Sequence, residues 1–462
     1  MRGNPTKRMH FLTEEKPLYK PKDRDTPLLF PELFPLGGGL NKNNRWMKLS
    51  KLMPWNELDE VYSRYFSSSM GRPAKDSRLM IGLLVAKHIE RYSDERVVDE
   101  LMENPYIQAF CGHEMFVTDE AVMDPSLLSK QRKRLGKEFF EKFETEVLGV
   151  LVVNKIIRPK DHMLDATVLP ANIEYPTDVK LVNRCREWLV KTIAVMRRSF
   201  KIKEKVRTYA RTARLVYTNF QRKRRKPKKF IRKAHRQTLQ FTKRNIGQLR
   251  ALLEKYAHRL ARKKREFVLR RLAVVLEIYR QQWTMWKEKS HQMKDRIVSL
   301  HLPHIRPMVR GKDGRDVEFG PKVLLSWVNG FCFLDHFSFS AYNEAEHAEE
   351  SLKKYEERFG KLPKVSIGDG IFGNRTNRQK LKELGIKNAF KPLGRPPART
   401  KAQKAWMKGK LKLRNGHMEG IIGHVKKHFG LDRINYRIDG GEEIWTRMGL
   451  LGMNLSTALK RI

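Results

Sequence analysis

Residues 323–328 and 331–339 are two short runs rich in β-branched and aromatic side chains, and they flank Asn329-Gly330. Asn-Gly suits a type I′ turn, whose two central residues both need positive φ, so an antiparallel hairpin is predicted here. The same logic applies to Met308-Val309-Arg310 and Asp316-Val317-Glu318-Phe319, which flank Asp313-Gly314. Upstream, over about 177–294, the apolar spacing is helical instead. Leu249, Leu252, Leu253, Tyr256 and Leu260 form one stripe, continued by Phe267, Leu269, Leu272, Val275, Leu276 and Ile278. A chain that switches period in this way is expected to be α/β.

The other elements follow from similar signals. Leu79, Ile81, Leu83, Leu84, Ala86 and Ile89 share an apolar band, followed by Val97, Val98, Leu101 and Met102. Asp124-Pro125-Ser126 predicts a helix start with Asp124 as N-cap, on a helix carrying Lys130, Arg132, Lys133 and Arg134. Residues 162–168 read as a strand, and Val365-Ser366-Ile367-Gly368 as another that ends at Asp369. Helices are predicted from Asn343 towards Phe359, from Arg375 to Leu384 and around 416–428, with a strand near 386–390 and a basic, Pro-rich loop from Arg395. The predicted organisation is a basic arm (1–60), a helical domain (61–150), a sheet domain built from 155–176 and 297–440, a basic helical insertion (177–296) and a C-terminal helix (441–462).

Charge narrows the partners. With 96 Lys and Arg against 51 Asp and Glu, the net charge is +45, which favours a polyanion, nucleic acid first. The hydrophobic share of 40% is ample for a core. The apolar run at 147–153 falls well short of the ~20 residues that span a bilayer, and no apolar segment follows the basic N-terminus as in a signal peptide. Cys111, Cys185 and Cys332 are too far apart for a CxxC site or a disulfide framework. A reduced, cytoplasmic protein without a membrane partner is expected.

Three carboxylates stand out. Asp165 interrupts an apolar strand, where Asp is disfavoured and expensive to bury unpaired. Asp369 ends a second strand, and Glu419 lies on a late helix. Brought together, they would form a hard oxygen site for Mg²⁺, suited to phosphodiester cleavage. Singly, an Asp after a strand also caps the next turn, and Glu419 also reads as a helix-surface carboxylate. Among rivals, Asp178 reads as a loop residue, Asp335 as paired with a basic neighbour or His336, and Glu344, Glu346, Glu349 and Glu350 as a solvated face. No His or Cys spacing suggests zinc, and a Walker A sequence is absent.

Taken in order, these segments resemble the DDE-type transposases of bacterial insertion sequences, nearest to the insertion-sequence-five-like group. The likeness spans about 71–455. It rests on Gly71-Arg72-Pro73, Asp124-Pro125-Ser126-Leu127, Leu164-Asp165-Ala166-Thr167-Val168, Gly368-Asp369-Gly370 with Asn374-Arg375, and Glu419-Gly420 with Gly423 and Lys426. The resemblance implies an RNase H-like catalytic domain, with a mixed sheet flanked by helices, beside an N-terminal all-α domain. It also implies Asp165, Asp369 and Glu419 as catalytic and metal-binding acids, with Mg²⁺ or alternatively Mn²⁺. The implied activity is cutting of insertion-sequence ends and joining of the 3′-OH to target DNA. The implied partners are terminal inverted repeats, target DNA and further copies of the chain, in a nucleoid-associated setting. Within the family pattern Y-x2-R-x3-E-x6-K, the first two positions hold Lys412 and Asn415, and Arg414 is one residue out of register.

DNA contacts are expected from Arg375, Arg414, Lys426, the run Arg222, Lys223, Arg224 and Arg225, and Arg132 and Lys133. Lys426 also reads as a solvated lysine, the 222–229 run as a nuclear localisation signal or a solvated charge run, and Trp283 and Trp286 as core anchors or a base wedge. The rival functions are a catalytically inactive DNA-binding protein derived from a transposase and an RNA nuclease.

Overall fold

The computed structural model describes residues 17–23, 30–36, 38–117, 122–309, 317–391, 394 and 400–462. The predicted Asp313-Gly314 turn, Arg310-Gly311-Lys312, the Pro-rich segment 395–399 and residues 1–16 lie outside them. In chain order, helices α1 (Arg45–Leu52), α2 (Trp55–Ser63), α3 (Ser77–Glu90), α4 (Asp94–Glu103), α5 (Pro105–Phe110) and α6 (Ser126–Val153) lead into strand β1 (Asp161–Val168). Then come α7 (Asp178–Ser199), α8 (Ala210–Arg222), α9 (Lys228–Tyr256), α10 (Arg262–Glu288) and strands β2 (Pro307–Val309), β3 (Val317–Phe319), β4 (Lys322–Val328) and β5 (Phe331–Ser338). Last are α11 (Ala348–Phe359), β6 (Val365–Ile367), α12 (Arg375–Glu383), β7 (Lys387–Ala389), α13 (Lys401–His428) and α14 (Gly441–Leu459). Short 3₁₀ turns, Glu344–His347 and Gly370–Gly373, precede α11 and α12. Among the described residues no helix is long and apolar enough to cross a membrane. All three cysteines are free and buried.

The chain divides into two compact units: residues 1–170, 322–338 and 342–462 form one, and 171–321 with 339–341 the other. In the first, five strands form a mixed sheet in the order β5-β4-β1-β6-β7. β4 pairs antiparallel with both β1 and β5, whereas β1–β6 and β6–β7 are parallel. The β4–β5 hairpin turns at Asn329 and Gly330 with φ of 53° and 93°, as the dipeptide predicts. Side chains of Arg461 and Asn329 bond across this turn at 2.8 Å.

Residues 45–60, expected within the basic arm, form α1 and, with 61–63, α2, because Trp46, Leu49, Leu58 and Tyr62 bury an apolar face. They join α3, α6 and the apolar α14 in one core with Val323, Leu325, Cys332 and Leu334 of the sheet. α6 begins at Ser126, whose N–H is accepted by Asp124 Oδ1 at 2.8 Å. It is kinked at Gly136 (φ 67°, ψ 176°), a left-handed backbone that glycine accepts without steric penalty.

The second unit is a helical bundle plus the antiparallel β2–β3 pair. Leu181, Cys185, Leu189, Ile193 and Met196 make the inner stripe of α7, at helical spacing. They meet Ile246, Leu249, Leu252 and Leu253 of α9 and Val268, Leu272, Val275 and Ile278 of α10. Asp178, expected in a loop, stands in the first turn of α7, where Arg296 holds it at 2.7 Å. An acid there complements the positive end of the helix dipole. Trp286 anchors α10 to α9 through Arg232, donating Nε1–H to its carbonyl at 3.2 Å, while Trp283 is exposed.

Candidate active site

Strand alternation selects which β1 side chains meet α13. Met163 packs with Val365, Ile367, Ala389, Met407 and Met418, whereas Leu164 and Ala166 face Leu352, Phe372 and Leu381 on the other side. With period two, Asp161, Asp165 and Thr167 therefore share the α13 face. Each is met from that helix. Lys410 pairs with Asp161, Arg414 Nη2 lies 3.3 Å from Asp165 Oδ2, and Lys426 Nζ donates to Thr167 Oγ1 at 3.0 Å and to the Val168 carbonyl at 2.9 Å.

The parallel register then aligns two acids. Met163 pairs with Ile367, the last residue of β6, and each acid follows that pair by two residues, Asp165 within β1 and Asp369 just past β6. Burial pushes the Asp165 carboxyl above the usual carboxylate range. The Arg414 guanidinium and the Ala166 N–H oppose this, while Glu344 and Asp369 add to it. Asp369 is exposed; its Oδ1 accepts the Gly370 N–H at 2.6 Å and caps the following turn. So the capping reading of Asp369 holds, and its carboxylate acts on Asp165 only through its charge; among the described residues Asp165, Asp369 and Glu419 do not form a set of donor atoms within 4.8 Å of one another. Glu419 is exposed on α13 between Arg414 and Lys426, and among the described residues it makes no hydrogen bond or ion pair.

Several residues depart from their sequence reading. Arg414, expected on DNA, is only 8% exposed and faces Asp165; its Nε is buried without a hydrogen-bond partner among the described residues. Lys426 is half-buried, and the end of β1 accepts its hydrogen bonds. Arg132, also expected on DNA, is 3% exposed. Its Nη1 donates to Asp94 Oδ1 at 3.0 Å, and its guanidinium stacks over the Tyr436 ring at 4.2 Å. Lys133, next to it, is exposed. A helix presents every side, and the apolar stripe of α6 turns Arg132 inward, where Asp94 arrives from α4. Arg375 is exposed at the first position of α12.

Arg132 and Asp94 give a first prediction. Burial pushes the Asp94 carboxyl up, but Arg132 and Lys87 outweigh it and hold it below its ordinary value. A depressed carboxylate contributes stability above its unfolded pKa of about 3.9 and loses it as pH falls through the lower folded value. Arg132→Met should therefore destabilise the protein by about 2 kcal/mol near neutral pH, less than a fully orphaned charge because Lys87 remains. The loss should shrink below about pH 3, as read by urea unfolding across pH.

Of the rival acids, Glu346 is exposed and the others are engaged. Asp335 is fully buried and pairs with Arg358 at 2.6 Å rather than with His336. Burial pushes its carboxyl up, but the Arg358 charge and hydrogen bonds from His162 and Ser351 outweigh it and hold it below the usual range. The expected solvated acidic face is not solvated at two positions. Glu344 pairs with Lys322 at 2.8 Å, and Glu350 accepts from His336 and His347 at 3.0 and 2.8 Å. Sequence spacing missed both contacts, since their partners come from other elements.

In the second unit, Arg222, Lys223, Arg224 and Arg225 are exposed at the end of α8 and in the turn to α9. Lys223 lies 4.4 Å over the Phe230 ring. Residues 177–296 contain 38 of the 96 Lys and Arg and 8 of the 51 Asp and Glu, so most of the excess charge is concentrated on this bundle.

Residues 36–134 match the family described as Transposase domain (DUF772). The chain is also 35% identical, over 155 residues, to the uncharacterized protein ORF8 in the nfe locus of Rhizobium meliloti. That match spans 33% of this chain and 74% of the relative. No solved structure matches.

Proposed function

The chain belongs to a transposase-related family, and from that premise we propose that it is a DNA transposase of the DDE type. It would cut the ends of an insertion sequence and join the 3′-OH to target DNA. The observation that carries this reading is the parallel β1–β6 register, in which Asp165 on β1 and Asp369 just past the end of β6 each follow the Met163–Ile367 pair by two residues, beside a helix that bears Glu419. The strand order β5-β4-β1-β6-β7 supports an RNase H-like fold, in which β1 and β6 are the central parallel pair.

The chemistry of the donor set, carboxylate oxygens throughout, is that of a hard divalent cation, with Asp369 exposed and Asp165 with 19% of its side chain exposed; binding would have to draw the three acids together. Asp165, Asp369 and Glu419 would hold Mg²⁺, with Mn²⁺ as substitute. When bound, the ion supplies activation of the attacking hydroxyl and stabilisation of the leaving oxygen. The protein's own groups position and neutralise. Arg414 keeps Asp165 oriented and offsets its charge. Lys426 fixes the end of β1 through Thr167 and Val168. Arg375, at the exposed start of α12, is placed in chain order directly after the Asp369 turn and supplies a cation for the DNA backbone. Cleavage of duplex DNA bearing the inverted repeats that border the coding region tests the reading directly.

Bulk affinity is assigned to the basic bundle. Each lost phosphate contact removes roughly 0.9 from the slope of log affinity against log salt. Neutralising Arg222, Lys223, Arg224 and Arg225 together should therefore flatten that slope by about 2 to 4, measured by fluorescence anisotropy on duplex DNA. An unchanged slope would mean that this turn does not touch DNA.

A further inference from the structure

Away from the acid pair, three metal-ligating side chains converge from three elements of the sheet unit. His336 comes from β5, His347 ends the 3₁₀ turn Glu344–His347, and Glu350 lies in the first turn of α11. Nδ1 of His336 and Nδ1 of His347 lie 3.0 and 2.8 Å from the same oxygen, Oε2 of Glu350. The two imidazoles stack at 3.6 Å, and one donor atom from each residue lies within 4.8 Å of the others. We propose that His336, His347 and Glu350 form a site for a divalent transition-metal ion of the zinc class, with both Nδ1 atoms and Oε2 as ligands.

The chemistry favours this ion over Mg²⁺. Two imidazole nitrogens and one carboxylate oxygen suit zinc, with three protein ligands and a water in the fourth position, whereas Mg²⁺ prefers oxygen donors throughout. Bonds of about 2.0–2.1 Å in a tetrahedron separate the ligand atoms by roughly 3.3 Å. The observed 2.8 and 3.0 Å need to open by only a few tenths of an ångström. Outer groups are in place too. Lys354 Nζ holds the other carboxylate oxygen, Oε1, at 3.1 Å. Tyr342 sets its ring edge-on to His336 and His347 at 4.8 and 4.7 Å. Its hydroxyl is buried with no hydrogen-bond partner among the described residues. A metal-bound water is the kind of group that would satisfy it.

An ion here would tie the end of β5 to the start of α11 and fix the intervening turn, which begins with Glu344. Sequence spacing suggested no zinc site, since the residues His336 and His347 are eleven apart and only the fold joins them. The proposal does not depend on the transposase reading, because metal content is measured without DNA.

The test uses the full chain, stripped with chelator and dialysed against Zn²⁺ near neutral pH. About one Zn²⁺ per chain should be retained, and Co²⁺ in its place should give a visible d–d absorption band. Glu350→Gln, which preserves shape, and His336→Ala with His347→Ala should each weaken binding more than about a hundredfold, beyond the usual effect of an outer-shell change. Asp165→Asn with Asp369→Asn should keep the band. Hydrogen exchange over 343–350 should slow on adding Zn²⁺ to the wild type and not to Glu350→Gln. Circular dichroism identifies any variant that fails to fold, in which case Glu350→Gln decides. Wild type without stoichiometric metal, or Glu350→Gln with undiminished affinity, overturns the proposal.

Discussion

Asp369→Ala is expected to lower Mg²⁺-dependent cleavage of terminal-repeat DNA by about a thousandfold, or ~4 kcal/mol of transition-state stabilisation at 1.36 kcal/mol per tenfold. The fold should survive, because Asp369 is exposed and, among the described residues, its side chain accepts a hydrogen bond from the Gly370 N–H alone, closing a single turn. Loss of such a cap is worth ~1 kcal/mol. DNA affinity should stay within about twofold of wild type, since the phosphate contacts assigned here are made by other residues. That separation of cleavage from binding is the diagnostic result. Equal cleavage by wild type and variant would remove Asp369 from the metal site and leave it as a capping residue.

The largest loss of stability is expected from Arg447→Ala. Arg447 of α14 is 8% exposed, and its Nη1 lies 2.7 Å from Glu144 on α6, itself 6% exposed. Nη2 reaches Glu141 and Glu443, both at 2.9 Å. Burial already pushes the Glu144 carboxyl up, with Arg447 opposing. Removing the cation strands a buried acid, which costs about 3–5 kcal/mol. Changing Arg447 and Glu144 to Met together should recover most of the loss, because well-packed apolar isosteres often match a buried ion pair. Urea unfolding of the single and double variants measures this. A double variant no more stable than the single one would mean that α14 and α6 are held by packing alone.

How legible was this chain? The hairpin at Asn329-Gly330 and the strand around Asp165 were, because turn chemistry and period two are local signals. The mixed α/β class was as well, through the change of period. What escaped was set by partners distant in sequence. Arg132 looks like any basic residue on a helix until Asp94 meets it from α4. Arg414 looks like a DNA contact until α13 lies along β1 and brings it to Asp165. Glu344 and Glu350 look solvated until Lys322 and the two histidines arrive from β4, β5 and the intervening turn. Charge periodicity on one element cannot reveal a partner on another, so buried ion pairs and composite ligand sets were the parts left unread. The juxtaposition of Asp165 with Asp369 is the opposite case. Each ends or interrupts an apolar strand, and only a parallel register of β1 and β6 was needed to align them.

The central claim, that this protein cuts DNA through Asp165, Asp369 and Glu419, is tested most directly by one assay. The purified full chain is incubated with duplex DNA carrying the inverted repeats that border its coding region, with Mg²⁺, with Mn²⁺ and with chelator, and the cut ends are mapped. Strand cleavage is expected at the repeat termini, leaving a 3′-OH, requiring the divalent ion and lost in Asp369→Ala. Tight DNA binding with no cleavage under either metal would contradict it and favour a DNA-binding protein without catalytic activity.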